Sequence, residues 1–130
     1  LLSVARAAAP FCCALKFHLD LLSDGVDPSL ITSLIQLARE ENVFLIEDSK
    51  VADVGRTNFL KVKAAWSWID AITVHALSGS DAVRSVADAG CGVILLAQMS
   101  SERNLLDDEY TKKAVSLALS QFFSALYHKG

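Results

Sequence analysis

The stretch FLIEDSKVADVG, residues 44–55, joins the pattern of a buried strand to a cluster of charges. The apolar run that leads into the charges begins one residue earlier, at Val43, and ends at Ile46; such a run is typical of a strand covered on both faces in a parallel sheet. The polar residues 47–50 follow at once, and Asp53 comes shortly after them. Charges in a small volume are costly unless they pair with one another or meet a charged ligand. The stretch therefore indicates both an element of the fold and a candidate site.

Strands of this kind recur along the chain and alternate with helical patterns. The predicted strands are an apolar run at 11–15 that leads into residues 16–20, then 43–46, 70–75 and 92–97. The predicted helices are 1–9, ended by Pro10, then 28–42 with Asp27 as N-cap, 58–65, 81–89 and 107–127, and a turn is predicted at 24–25. Four βα units indicate an α/β fold, either a doubly wound sheet or part of a (β/α)8 barrel. No phosphate-binding GxGxxG or GxxxxGK[ST] motif supports the doubly wound sheet, so we expect a barrel.

The length of the chain suits only part of such a barrel. A complete barrel usually takes about 250 residues, whereas this chain has 130. Both of its ends fall in or close behind helical patterns, and it does not begin with Met. We therefore expect residues 1–130 to form one partial barrel domain.

Composition and charge exclude several classes of function. The chain is 52% hydrophobic and 21% charged with a net charge of -3, so it lacks the basic surface that binding to nucleic acid requires. No apolar run approaches the roughly 18 residues of a membrane span. Cys12, Cys13 and Cys91 have neither disulfide-framework nor zinc-ligand spacing, so we expect buried, reduced thiols. Reduced thiols and the lack of a signal peptide predict a cytoplasmic protein.

Polar side chains end each predicted strand, where barrel enzymes carry their catalytic groups. Because side chains alternate between faces along a strand, those two residues apart point the same way. The first two strands would then bring two lysines and at least two carboxylates together, and the residues concerned are Lys16, His18, Asp20, Asp48 and Lys50. A lysine held between carboxylates keeps its charge and is a proton donor rather than a nucleophile. From spacing alone, a solvated loop of ion pairs fits the Asp48–Lys50–Asp53 series as well as a catalytic cluster does.

The segment IEDSKVADVGRT, residues 46–57, resembles the active-site signature of orotidine 5'-phosphate decarboxylase, the last enzyme of de novo UMP synthesis. Further segments match that family in the same order: ALKFHLDLLSD, SWIDAITVHALSGS and ILLAQMSS, followed by DDEYTKKAV. The chain is most similar to the eukaryotic form, which in animals is the C-terminal domain of UMP synthase. The resemblance implies a TIM barrel, a cytoplasmic homodimer, and conversion of orotidine 5'-monophosphate to UMP and CO2 with no cofactor and no metal.

The resemblance also implies roles for the residues of the charged series. Asp48 matches the carboxylate that lies near the carboxylate of the substrate. Lys50 matches the lysine that protonates C6 of the pyrimidine, where loss of CO2 leaves a carbanion. Asp53 matches an aspartate that reaches the active site of the other subunit. In this interpretation the alternation of acid and base arranges charge around C6.

Four further residues match positions that bind the substrate. Lys16 matches a lysine that contacts the ribose, and His18 lies beside it. Thr57 matches a residue that, like the aspartate, reaches the site of the other subunit. Ser100 matches a serine that donates or accepts a hydrogen bond at the pyrimidine.

Two other functions stay open. The resemblance covers about half of the family's domain, without the strands that carry the phosphate-binding arginine, so one alternative is a non-catalytic half-barrel that acts by association. An open half-barrel exposes two sheet edges and an apolar face, and for that reason we expect self-association. The other alternative is a Mg2+-dependent sugar-phosphate decarboxylase or aldolase of the same superfamily, which shares the D-x-K-x-x-D spacing. The LKFHLD and AQMSS matches favour the nucleotide decarboxylase over that enzyme.

Overall fold

The computed structural model describes residues 1–22 and 25–127, so the predicted turn at 24–25 lies partly outside the described residues. One parallel sheet has the strand order β1-β2-β3-β4, with β1 Ala14–Phe17, β2 Phe44–Val51, β3 Ala71–His75 and β4 Gly92–Leu96. The helices are α1 Leu2–Ala8, α2 Pro28–Glu41, α3 Gly55–Ala65, α4 Ser80–Asp88 and α5 Asp108–Tyr127. Short 3-10 segments span Ala9–Phe11 and Leu19–Leu21. The predicted alternation of strands and helices is confirmed.

Local sequence signals account for where the helices begin and end. Pro10 falls in the 3-10 segment that follows α1, since a proline lacks the N–H that a continuing helix needs. Asp27 caps α2, because its carboxylate accepts a hydrogen bond from the Ser29 N–H at 2.8 Å. Asn42 ends the same helix in the left-handed conformation, with φ 54°.

The core lies between the helices and one face of the sheet. On this helix-facing side, alternate strand residues are buried, among them Leu15, Leu45 and Ile72. They pack with buried helix residues that include Leu34 of α2 and Val83 of α4. The other face of the sheet, which we call the inner face, carries the strand residues that alternate with these buried ones. The candidate site lies on this inner face.

The end of β2 departs from the regular ladder. Its partners in β3 run from Glu47↔Ile72 to Val51↔Val74, so β2 has two more residues than β3 over this stretch. Lys50 lies inside the irregularity with φ 49°, in the left-handed region. The predicted end of this strand at residue 46 is therefore wrong, since β2 continues through the charged series.

The expectation of buried thiols holds for Cys91 and is wrong for Cys12 and Cys13, which are exposed. That adjacent pair lies in the connection between α1 and β1, which runs over the surface. All three thiols are free, and burial, with a smaller effect of Asp70, raises the pKa of Cys91 to about 11.

Among residues 1–22 and 25–127, no helix has the length and apolar character to cross a membrane.

Candidate active site

Asp48 is the centre of the charged cluster on the inner face. Its side chain is 7% exposed, and its Oδ2 lies 2.7 Å from Lys16 Nζ and 3.4 Å from His18 Nε2. Its Oδ1 lies 2.9 Å from Lys50 Nζ and accepts a hydrogen bond from the Thr73 hydroxyl at 2.9 Å. The predicted convergence of the first two strand ends is confirmed, and the third strand also takes part.

Parallel strands bring these residues together because their carboxyl ends meet at one edge of the sheet. Lys16 pairs with Ile46 in the ladder, so its side chain extends along the inner face toward Asp48. Lys50 reaches the same carboxylate from within the irregular end of β2. The Lys50 backbone N–H donates to Thr73 Oγ1 at 2.9 Å, so Thr73 holds both the bulged backbone and the carboxylate.

Thr73 is a site residue that the sequence interpretation missed. It is 5% exposed on β3, two residues before His75. Strand alternation places it on the same face as His75, and that spacing was the available signal. A threonine in an apolar run is ordinarily a packing residue, so the pattern alone gave it no role.

Three hydrogen bonds keep Asp48 ionised. Burial by itself raises the pKa of this carboxyl, but bonds from Lys16, Lys50 and Thr73 outweigh it and hold the pKa well below its usual range.

Two ammonium groups thus share the Asp48 carboxylate. We expected a lysine between two carboxylates; among the described residues, Asp48 is the only carboxylate paired with Lys50, and the expectation is corrected accordingly. The cluster has a surplus of positive charge that can stabilise a developing negative charge.

Asp53 and Thr57 lie beyond the end of β2, outside this cluster. Asp53 accepts hydrogen bonds from the Val54 N–H at 2.8 Å and from Lys61 Nζ at 3.1 Å. These two bonds, together with one from Thr57, lower the pKa of the Asp53 carboxyl. Its side chain is 39% exposed. The fold therefore presents this carboxylate at the surface, away from Lys50 of the same chain.

The loop that carries Asp53 is fixed from two sides. Asn58, which is 0% exposed on α3, donates to the Asp53 carbonyl at 2.9 Å and to the Ala82 carbonyl at 3.4 Å. The Ser78 hydroxyl donates to the Ala52 carbonyl at 2.6 Å. These contacts could not be predicted from a local pattern, because each joins residues that belong to different elements.

Among the described residues, Asp20, His75 and Ser100 form no hydrogen bond or ion pair with Asp48. Asp20 Oδ1 lies 3.7 Å from His18 Nδ1, so Asp20 reaches Asp48 only through the imidazole. His75 ends β3 with its Nδ1 buried and without a hydrogen-bond partner, and burial, followed by the charge of Lys50, lowers its pKa. Ser100 is exposed in the loop after β4, and none of the contacts of Asp48 extends to it.

Over the described part of the chain, no three His, Cys, Asp or Glu side chains are grouped so as to hold a metal ion.

Comparison with known proteins agrees with the resemblance. A family model described as orotidine 5'-phosphate decarboxylase / HUMPS family matches residues 1–121. The orotidine 5'-phosphate decarboxylase of Mucor circinelloides f. lusitanicus is 36% identical over 128 residues, which are 91% of this chain and 47% of that protein. The decarboxylase of Pichia kudriavzevii is 31% identical over 131 residues, covering 92% of this chain and 50% of its own length. The chain thus spans about half the length of the relatives it matches.

Solved structures support the barrel assignment. The orotidine 5'-monophosphate decarboxylase of Methanocaldococcus jannaschii superposes with a TM-score of 0.74 at 25% identity, covering 90% of this chain and 58% of that one. The Pyrococcus horikoshii enzyme gives 0.72 at 22% identity, which shows the fold alone, and covers 90% of this chain and 55% of its own. The four parallel βα units of the chain superpose on these barrels, so the chain forms a partial (β/α)8 barrel, as predicted. With the family model matched over most of its length, the chain belongs to the orotidine 5'-phosphate decarboxylase / HUMPS family.

Proposed function

We propose that this chain forms the charged part of a site that converts orotidine 5'-monophosphate to UMP and CO2 in pyrimidine biosynthesis. The observation that carries the proposal is the buried Asp48 carboxylate with Lys16 and Lys50 on its two oxygens. Relatives that are 36% and 31% identical to the chain over the aligned residues are named as this decarboxylase, which gives further support.

Lys50 is the proposed proton donor to C6. Loss of CO2 breaks the bond between C6 and the carboxylate and leaves the electron pair on C6 of the pyrimidine. The proposal involves no cofactor or metal, so this charge must be stabilised by preorganised groups of the protein. The Lys50 ammonium is held at 2.9 Å from Asp48, and it supplies first a positive charge and then the proton.

Asp48 has two proposed effects on this reaction. Because its pKa is held well below the usual range, it is ionised at neutral pH, and its two oxygens hold the Lys16 and Lys50 side chains in place. The same negative charge disfavours the carboxylate of the substrate that lies beside it, and decarboxylation relieves this repulsion. Lys16, whose side chain is 57% exposed, is proposed to extend from Asp48 to the ribose, with His18 next to it.

A homodimer in the cytoplasm is part of the proposal. Asp53 and Thr57 are proposed to complete the site of the partner subunit, and their position outside the cluster of their own chain supports this. Ser100 is proposed to hydrogen-bond the pyrimidine from the loop after β4. Because the chain spans about half of its relatives, turnover by the chain itself is also a proposal.

The decisive experiment follows the loss of orotidine 5'-monophosphate absorbance with the purified chain. We expect Lys50→Ala to lower turnover by at least about 100-fold, since a positioned general acid contributes that much or more. Lys112→Ala, which removes an exposed lysine of α5, is the matched control and should retain turnover. Parent-level turnover in Lys50→Ala would refute the role of Lys50. A folded parent without turnover would instead favour the half-barrel that acts by association.

A further inference from the structure

Glu47 is a buried acid that the proposed mechanism does not use. It directly precedes Asp48 on β2, and strand alternation places its side chain on the helix-facing side. It is 0% exposed and lies on the same face of β2 as Leu45, which is 2% exposed. An apolar side chain at this position would continue the core, whereas a carboxylate there is costly unless it is hydrogen-bonded. The partners of Glu47 therefore indicate what it does.

The Glu47 carboxylate binds the backbone of the segment that follows β1. The Leu19 N–H donates to both of its oxygens, at 3.2 Å to Oε2 and 3.4 Å to Oε1. The Ser49 hydroxyl donates to Oε1 at 2.5 Å, which keeps the carboxylate turned toward Leu19. Leu19 is 3% exposed and begins the 3-10 segment Leu19–Leu21.

Glu47 and Asp48 are neighbours on β2, and their partners Leu19 and His18 are neighbours in the segment that follows β1. The two contacts lie on opposite faces of β2. On the helix-facing side, Glu47 holds the amide of Leu19. On the inner face, Asp48 lies 3.4 Å from the imidazole of His18. His18 leaves β1 with φ -118° and ψ 81°, outside the regular strand and helix regions, and its side chain makes no capping bond to the following 3-10 segment. The bond at the neighbouring Leu19 amide therefore restrains the backbone from which the imidazole extends, while the ring itself lies 3.7 Å from Asp20 and 3.4 Å from Asp48.

We infer that Glu47 is a positioning residue, which places His18 against Asp48 by holding the Leu19 amide from the opposite face of β2. This inference rests on the proposed function for the importance of His18 in substrate binding. The placement itself is a property of the folded chain and can be measured whether or not the chain turns over substrate.

The test uses NMR spectra of the 15N-labelled full chain, with the His18 ring nitrogens and the Leu19 amide as reporters. Asp48→Asn should shift the His18 ring signals in the parent, because the two side chains are in contact. The same shift is expected in a Glu47→Gln background, since glutamine keeps an oxygen acceptor for the Leu19 amide. In a Glu47→Leu background the shift should fall below about half, and exchange of the Leu19 amide should be about 10-fold faster than in Glu47→Gln.

Val62→Ala is the matched control for loss of stability. Val62 is 1% exposed in the same core, and its truncation destabilises the fold without removing a partner of Leu19. If Val62→Ala abolishes the response of His18 to Asp48→Asn as Glu47→Leu does, Glu47 acts only on stability and the inference is overturned. An undiminished response in Glu47→Leu would overturn it as well.

A second comparison applies if Glu47→Leu does not fold. In Glu47→Gln alone, the weaker neutral acceptor should shift the Leu19 amide proton and the His18 ring signals more than the amide signals of Val83 and Val86 in α4. Equal shifts at both places would refute the positioning role. Absence of turnover in the parent would bear only on the proposed function, because none of these measurements uses activity.

Discussion

Lys50 combines the proposed catalytic role with an unfavourable backbone conformation. Its φ of 49° lies in the left-handed region, where a residue with a Cβ costs about 1 kcal/mol and glycine does not. Lys50→Ala and Lys50→Gly both remove the ammonium from Asp48, so they differ only in the backbone. We expect Lys50→Gly to be more stable than Lys50→Ala by about 1 kcal/mol, measured by urea denaturation.

Lys16 offers the matched control for this backbone effect. It pairs with the same Asp48 but lies in the regular strand β1, outside the residues with positive φ. Glycine weakens a strand relative to alanine, so the order should reverse, with Lys16→Gly less stable than Lys16→Ala. If the glycine variant is less stable than the alanine variant at both positions, backbone strain at Lys50 is negligible.

The stability of the chain should depend on the protonation of His75. Burial, and then the charge of Lys50, lowers the pKa of this imidazole below its ordinary 6.5, so the folded state favours the neutral ring. Because the pKa of His75 is lower in the folded than in the unfolded state, the free energy of unfolding is unaffected above about pH 6.5, the pKa of the unfolded state. It decreases as the pH falls from there toward the folded-state pKa. The free energy of unfolding of the parent should therefore fall more steeply between pH 7.5 and pH 5 than that of His75→Gln. Parallel curves would contradict this prediction.

At the scale of elements, β2 shows how far the sequence can predict the structure. Its apolar start and the order of the βα units were predictable, because burial in a parallel sheet leaves a continuous apolar run. Its end at Val51 was not, since the partners that make burial of Glu47 and Asp48 tolerable are the Leu19 amide and the Lys16 ammonium. Those partners come from another element and leave no local signal.

The candidate site divides in the same way. The meeting of Lys16, Asp48 and Lys50 was predictable from alternation along adjacent strands. The bond from the Lys50 backbone N–H to Thr73 and the left-handed conformation of Lys50 were not, because both arise where the register between β2 and β3 shifts. A register shift depends on how two strands fit together, and the pattern of one strand does not contain it.

The pairing of β3 with β4 depends on a glycine at the start of β4. A Cβ on Gly92 would lie 2.8 Å from the Asp70 carbonyl oxygen, which also accepts the Gly92 N–H at 2.8 Å. Gly92→Ala must therefore push the strands apart, and we expect a loss of about 1–3 kcal/mol in the free energy of unfolding. Hydrogen exchange should become faster along β4 in this variant.

Gly79→Ala is the comparison for this prediction. A Cβ at Gly79 meets nothing within 4 Å, and the cost of the change comes only from its φ of +84°. This variant should leave exchange in β4 unchanged. Equal exchange along β4 in the two variants would show that crowding at the Asp70 carbonyl does not matter.

At the scale of the whole molecule, the two faces of the sheet differ in what covers them. The helices and the core lie on one face, while the inner face carries the charged cluster together with apolar side chains such as Ile94, which is 41% exposed. Within the described residues, β1 pairs only with β2 and β4 only with β3. Unpaired strand edges next to apolar surface favour association with another chain.

This arrangement predicts that the chain associates with itself through the β4 edge. Ile94→Lys places a charge on the exposed inner face of that edge strand, and a charge buried without a partner opposes association. Sedimentation over a range of concentrations should show association of the parent and an affinity about 10-fold weaker in Ile94→Lys. Leu105→Lys is the matched control, because Leu105 is 95% exposed in the loop before α5 and should leave association unchanged. A parent that remains monomeric at all concentrations would refute the prediction, and an unchanged affinity in Ile94→Lys would place the contact elsewhere than β4. Equal weakening in both variants would show an effect of the added charge alone and would also contradict the prediction.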